Sequence, residues 1–216
     1  MSLDESMRAV ARSAAIAALA LFGAPILDAA AAPTVDWSCH ANGAFLVVAA
    51  DKEDEVGQRI IVRRAAAAPK PVCSLDAHKD DMVLGDPAPG SDDMDAFYYI
   101  ALEGHALLLD NGSGPGRTLT IFDLKSGKRV LDAPYSLQDD NCQPTNGCYS
   151  PDEFALTDRG VTFWRATTTA ATAKNCTKIK SMQKDGFTPT IEEKSSYDFA
   201  TGKLTGLKTT RCVPYQ

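Results

Sequence analysis

The chain reads as an all-β protein built of antiparallel meander sheets, and three observations predict it. Short apolar runs alternate with turns rich in Gly, Asp and Ser. A seven-residue hairpin pattern occurs twice. No stretch past the first thirty or so residues carries a sustained helical period. Six cysteines then staple the sheets with disulfides.

The first segment is set apart from that fold. Residues 1–31 have the form of a cleaved secretory signal peptide. Arg8 and Arg12 make a weakly basic start, Ser13 to Leu27 an apolar stretch too short to span a bilayer, and Ala29-Ala30-Ala31 a small-residue cleavage site. Arg8 and Arg12 are not a twin-arginine pair, and Cys39 lies too far on to be a lipid-attachment site, so no membrane anchor is expected. A single β-rich domain, 32–216, remains, in the periplasm or outside the cell.

Of the 216 residues, 44% are apolar and 23% charged, which is too apolar for a disordered chain and enough for a core. The net charge is −6, and it moves to −5 when residues 1–31 are removed with their two basic and three acidic side chains. That balance argues against a broad phosphate-neutralising surface, so no nucleic-acid partner is expected. It favours encounter with cationic partners, or solubility alone.

All six cysteines (Cys39, Cys73, Cys142, Cys148, Cys176 and Cys212) fall in the mature part. None has the paired Cys-x2-Cys spacing that zinc wants, so an even count in an exported chain reads as three disulfides. Gly43–Ala50 and Arg59–Arg64 flank the charged turn Asp51–Gly57, a β-hairpin pattern within an N-terminal hairpin, 37–75. The turn centres near residue 55 and the mean of 39 and 73 is 56, which sets Cys39 opposite Cys73 at the open end. A bond from Cys39 to Cys212, tying the ends together, is the rival. Cys142 and Cys148 bracket a Gln-Pro-Thr-Asn-Gly loop and close a small ring. Cys176–Cys212 follows by elimination alone.

Strand signals are densest in a four-stranded unit, 96–135. Ala96–Leu102, Ala106–Asp110, Thr118–Phe122 and Arg129–Leu131 are separated by Glu103-Gly104-His105, the Asn111–Gly116 turn and Lys125–Lys128. In the third of these, Leu119 and Ile121 share one face, with Thr118, Thr120 and Phe122 on the other. Residues 77–95 read as a long polar loop, 132–152 as a cysteine-pinned one, and 152–213 as the C-terminal strands.

The repeated pattern is Phe122-Asp-Leu-Lys-Ser-Gly-Lys128 and Tyr197-Asp-Phe-Ala-Thr-Gly-Lys203. Gly takes the left-handed position, and Asp accepts from turn amides. It resembles the link between the third and fourth strands in blades of β-propeller and related β-meander proteins. A full propeller takes four or more blades of about 40–45 residues, and about 185 residues barely supply them. The resemblance therefore implies a propeller-like array, a sandwich or a compact meander.

No Gly-x-Ser-x-Gly elbow, His-Glu-x-x-His motif or Walker-type loop occurs, so no catalytic residue and no cofactor are expected. His40, His78 and His105 begin no motif. Asp92-Asp93-Met94-Asp95 lacks the spacing of a calcium loop and reads as a solvated acidic loop, as does Asp139-Asp140-Asn141, so no metal site is expected. Trp164 reads as a half-buried strand position, and Trp37 as packing on the first disulfide.

The functional expectation is a non-catalytic binding or protein-interaction module of the cell envelope, its partner a protein or a small ligand. One alternative is an inhibitor of a basic secreted enzyme. Periplasmic lysozyme inhibitors resemble this chain in being small, acidic, disulfide-bearing β-proteins, some with a Ser-Gly loop; Ser113-Gly114 sits in such a loop but lacks the following aromatic. The other alternative is a hydrolase using carboxylates on loops 77–95 and 132–152.

Overall fold

The computed structural model describes residues 35–66, 72–86, 95–112, 117–138 and 144–215. The expected signal peptide, Cys142, Asp92–Met94, Ser113-Gly114 and Asp139–Asn141 lie outside the described residues. Twelve strands and one six-residue helix follow in order. The first meander holds β1 (Trp37–Ala41), β2 (Phe45–Asp51), β3 (Gln58–Arg64) and β4 (Met82–Leu84). The second holds β5 (Phe97–Glu103), β6 (Ala106–Asn111), β7 (Arg117–Asp123) and β8 (Lys128–Tyr135), and the third β9 (Phe154–Thr157), β10 (Gly160–Ala166), β11 (Thr188–Asp198) and β12 (Lys203–Tyr215). Helix α1 (Ile179–Lys184) sits in the link from β10 to β11.

Every strand pairs antiparallel with its sequence neighbours inside a meander. A single pair, Arg165 with Tyr135, joins the second and third meanders into an eight-stranded sheet. The fold is all-β and antiparallel, as the alternating runs and turns predict.

At β6 and β7 the middle meander is buried on both faces, while β8 leaves most of its side chains exposed. Leu107, Leu109, Phe97 and Phe122 pack on Phe45, Val47, Ile60 and Val62 of the first meander. On the opposite face Leu108, Leu119, Ile121 and Tyr135 pack on Phe154, Val161, Phe163 and Tyr197 of the third. That explains why Ala106–Asp110 reads as a continuous apolar run rather than an alternation: side chains pointing either way leave water. Asp110, wholly buried at the end of the run, is held by an ion pair with Arg117. Burial pushes its carboxyl up and Arg117 opposes the shift.

The repeated turns close as their residues dictate, each joining the third strand of its meander to the fourth. Asp123 accepts from the Lys125 and Ser126 amides (3.1 and 3.3 Å) and the Ser126 hydroxyl (2.6 Å), and Gly127 has φ 69°. Asp198 accepts from the Thr201 amide (2.7 Å) and hydroxyl (2.8 Å), with Gly202 at φ 65°. Both carboxyls are held below their usual range, chiefly by the Ser126 hydroxyl at Asp123 and by the Thr201 amide at Asp198.

The disulfides Cys39–Cys73 and Cys176–Cys212 are both formed, and Cys148 is disulfide-bonded. The reason for the first differs from the expected one. A separate turn at Asn42 folds β1 back along β2, placing Cys39 opposite Val48 rather than at the open end of the β2–β3 hairpin. Cys73 reaches it because loop 72–81 crosses the outer face of the first meander, over Leu46, Val48 and Ile61. Arg63, 3% exposed, pins that loop by donating to Asp81 (3.0 Å) and to the carbonyls of Val72 and Ser74 (2.8 and 2.9 Å). Nor is 77–95 wholly loop. Met82–Leu84 pairs with Ile60–Val62 as β4, because those three apolar residues close the free edge of β3.

Candidate functional site

A cavity of about 560 Å³ opens between β1, β5 and the Pro144–Gly147 turn. Alternation along β1 sends Cys39 to the outer face, leaving Ser38 and His40 on the side toward β5. The His40 ring stacks on Tyr99, with centroids 3.9 Å apart and an interplanar angle of 12°. Two side chains hold the strands in place: Asn42 Nδ2 donates to the Gly104 carbonyl (2.8 Å), and the Tyr99 amide donates to Gln58 Oε1 (2.8 Å).

β5 is a sheet edge, and a bulge interrupts its register between Tyr99 and Ala101. A bulge bends the strand and re-aims side chains, and here it falls beside the cavity. The Tyr149 hydroxyl donates to the Ile100 carbonyl (3.0 Å), so one edge acceptor is taken by the opposite wall. That wall is rigid. Pro144–Asn146 forms a 3-10 turn, Gly147 has φ 74°, Cys148 is disulfide-bonded, and the Tyr149 ring stacks on Phe154.

The electrostatics are those of an uncharged aromatic channel with one acid. Burial raises the Tyr99 phenol, and the neighbouring Tyr149 phenol and Glu103 carboxylate add to it. Tyr149 is raised for the same first reason, with Glu103 second. Burial lowers His40, which is therefore neutral at pH 7. Glu103 lines the same cavity and supplies a carboxylate. A second cavity of about 120 Å³, lined by Asp36, Trp37, Ala49 and Asp51, shares Ser38 and Gln58 with the first. Trp37 is 44% exposed at its rim.

The remaining expected positions fall elsewhere. His78 lies 3.8 Å from Asp81 on the exposed loop. His105 lies 3.9 Å from Asp123, in a cavity of about 220 Å³ between the two Asp-turn hairpins. Asp95 is held by Arg129 and Asn111. Ser181 and Lys184 have a Ser-x-x-Lys spacing on α1 where no such motif was expected, but both are exposed and the Ser181 hydroxyl lies 3.4 Å from Asp185 Oδ2. Trp164 is buried, its indole N–H on the Asp152 carbonyl (2.8 Å). The sequence reading singled out none of Tyr99, Glu103 or Tyr149. The nearest signal was the Tyr98-Tyr99 doublet, two polar-tipped aromatics inside a run otherwise read as plain strand.

No helix among the described residues is long and apolar enough to cross a membrane, and the disulfides fit an oxidising compartment. No protein-family model, no curated protein and no solved structure matches the chain, so the site stands on its own geometry.

Proposed function

We propose that this protein is an exported, non-catalytic binding module of the cell envelope that seats its ligand in the channel between Tyr99 and Tyr149. The observation that carries the reading is the built character of that channel. Its floor is a bulged edge strand, its aromatic walls are fixed by hydrogen bonds and a cysteine-pinned turn, and one carboxylate offers direction. Binding sites are concave with placed polar groups, and this cavity offers polar and apolar lining in about equal parts. The three meanders, with side chains packed from one to the next, serve as a rigid mount in the manner of propeller blades. A leader at residues 1–31 and the disulfides support an extracytoplasmic location.

The test compares the oxidised mature protein with its Tyr99→Ala variant, immobilised side by side in envelope extract. A component retained by the first and lost by the second is identified, purified and titrated back. Saturable one-to-one binding to the unaltered protein supports the reading. Equal retention by both proteins, or turnover of the retained component, overturns it.

A further inference from the structure

The two Asp turns share a cavity as well as a sequence pattern. Its volume is about 220 Å³, and Phe122 and Asp123 line it from the first turn, Tyr197, Phe199 and Gly202 from the second. His105, in the turn between β5 and β6, lines it too. The two copies of the pattern differ at their first position by one oxygen atom. Phe122 buries a plain ring in the cluster shared with the first meander. Tyr197 holds the matching place, is 3% exposed, and its hydroxyl has no hydrogen-bond partner among the described residues. That hydroxyl sits at the cavity wall, 3.6 Å from where a side chain on Gly202 would begin. A buried side chain that keeps an unpartnered hydroxyl, where its counterpart is phenylalanine, calls for a partner.

A second polar gap faces the same space. Asp123 Oδ1 accepts from the Lys125 amide alone and lies 3.9 Å from His105 Nε2, beyond hydrogen-bond reach. A hydroxyl set between them would donate to the carboxylate and meet the imidazole at once. Much of the remaining wall is apolar, with Ile121 and Phe122 buried and Val130 43% exposed. Burial raises the Tyr197 phenol, and Asp123 and Asp198 add to it, so it stays a donor.

From this we infer that the cavity between the Asp turns is a second binding site, which takes a small neutral polyol the size of one sugar ring. No residue lines both this cavity and the Tyr99–Tyr149 channel, so the inference goes beyond the function proposed above. The volume lies below the roughly 300–1,000 Å³ of sites for drug-sized ligands, which limits the ligand to about one ring. A polyol offers hydroxyls to Tyr197, Asp123 and His105 and C–H groups to the apolar wall. A hydrocarbon would leave the polar groups unmet. An anion would face Asp123, and among the described residues no Lys or Arg lines the cavity to offset it.

The experiment titrates the ¹⁵N-labelled oxidised mature protein, with assigned amides, with six probes. Four are sugars (methyl glucoside, methyl galactoside, methyl mannoside and N-acetylglucosamine); cyclohexanol is a ring with a single hydroxyl, and glucosamine is a charged ring. Saturable shifts of the His105, Thr201 and Gly202 amides with at least one neutral sugar are expected, and none with cyclohexanol. Tyr197→Phe should weaken that sugar roughly threefold to tenfold, the scale of one hydrogen bond, without lowering the melting temperature. His105→Gln should weaken it as well. Gln183→Ala, on α1 at the opposite end of β11, should leave it unchanged. If no neutral sugar moves those amides, the cavity holds water only and the proposal is overturned. Equal binding of cyclohexanol, or equal affinity in the parent and Tyr197→Phe, overturns it too. Binding of glucosamine alone overturns the neutral polyol in favour of an amine.

Discussion

The guanidinium of Arg211 lies over the indole of Trp164, 4.3 Å from the ring centroid, and from that position its edge serves two carboxylates. Nε donates to Glu192 at 2.7 Å and Nη1 to Glu153 at 2.5 Å. Three strands and the loop before β9 meet at this one side chain, because Trp164 is on β10, Glu192 on β11 and Arg211 on β12.

Removing Arg211 leaves Glu192, whose side chain is fully buried, without its cation. Arg211→Met should therefore cost about 3–5 kcal/mol of stability, the range for breaking a buried pair. The double variant Arg211→Met, Glu192→Gln should recover part of the loss. Urea unfolding of the two variants beside the parent measures both, and a loss under about 1 kcal/mol in the single variant contradicts the account.

Glu192 also sets a pH dependence. Burial raises its pKa above the ordinary 4.5, and Ser136, Arg211 and Tyr215 offset the shift only in part. A carboxyl raised in the folded state stabilises through its protonated form. That contribution is whole below the ordinary carboxylate range and is lost as pH rises through the folded value. Glu192→Gln cannot lose it, so its stability relative to the parent should improve as pH rises from about 4 to about 8. Unfolding free energies of both proteins across that range decide the matter, and a difference independent of pH goes against it.

Loop 72–81 is held by one covalent and one polar fastening, and the two separate experimentally. Cys39→Ala with Cys73→Ala should lower stability by about 3–4 kcal/mol in the chain-entropy account, for a loop of 34 residues, and leave Cys176–Cys212 intact in non-reducing peptide maps. Arg63→Lys keeps the charge but not the planar fork that reaches Asp81 and the backbone carbonyls together. Trypsin should then cleave after the exposed Lys79 faster than in the parent, with the disulfide still closed. An unchanged cleavage rate would show that the disulfide alone holds the loop.

Gly127 and Gly202 occupy matching places in the two Asp turns, at φ 69° and 65°. An alanine at either carries the left-handed penalty of about 1–2 kcal/mol. At Gly127 the new methyl also meets Met82 Cε at 3.2 Å, whereas at Gly202 its nearest neighbour is the Tyr197 hydroxyl at 3.6 Å. Thermal melts should rank Gly127→Ala below Gly202→Ala, with both below the parent. The reverse order would mean that Met82 yields freely.

Local chemistry made the strands and turns readable. The runs within 96–135 correspond to β5–β8, most clearly at β6 and β7, which are buried on both faces, and the Asp turns were readable because each needs only four or five adjacent residues. β4 escaped notice because Met82–Leu84 is three residues set among charges, and only the exposed edge of β3 gives it a partner. The pairing of Cys39 with Cys73 was readable although its geometry was not, since the β1–β2 turn depends on Asn42 capping the amides of Ala44 and Phe45. The channel was the least readable of all. His40, Tyr99 and Tyr149 are remote in sequence, and what joins them is a bulge and three hydrogen bonds that no local pattern announces.

The two described disulfides span 34 and 36 residues, each bond joining a cysteine to the next one along the chain: Cys73 is the first after Cys39, and Cys212 the first after Cys176. In oxidation that follows chain order, Cys39 meets Cys73 before any other cysteine, whereas Cys176 follows Cys142 and Cys148 and meets only Cys212 after it. Oxidation in chain order thus favours Cys39–Cys73 without reshuffling, because no competing thiol precedes Cys73.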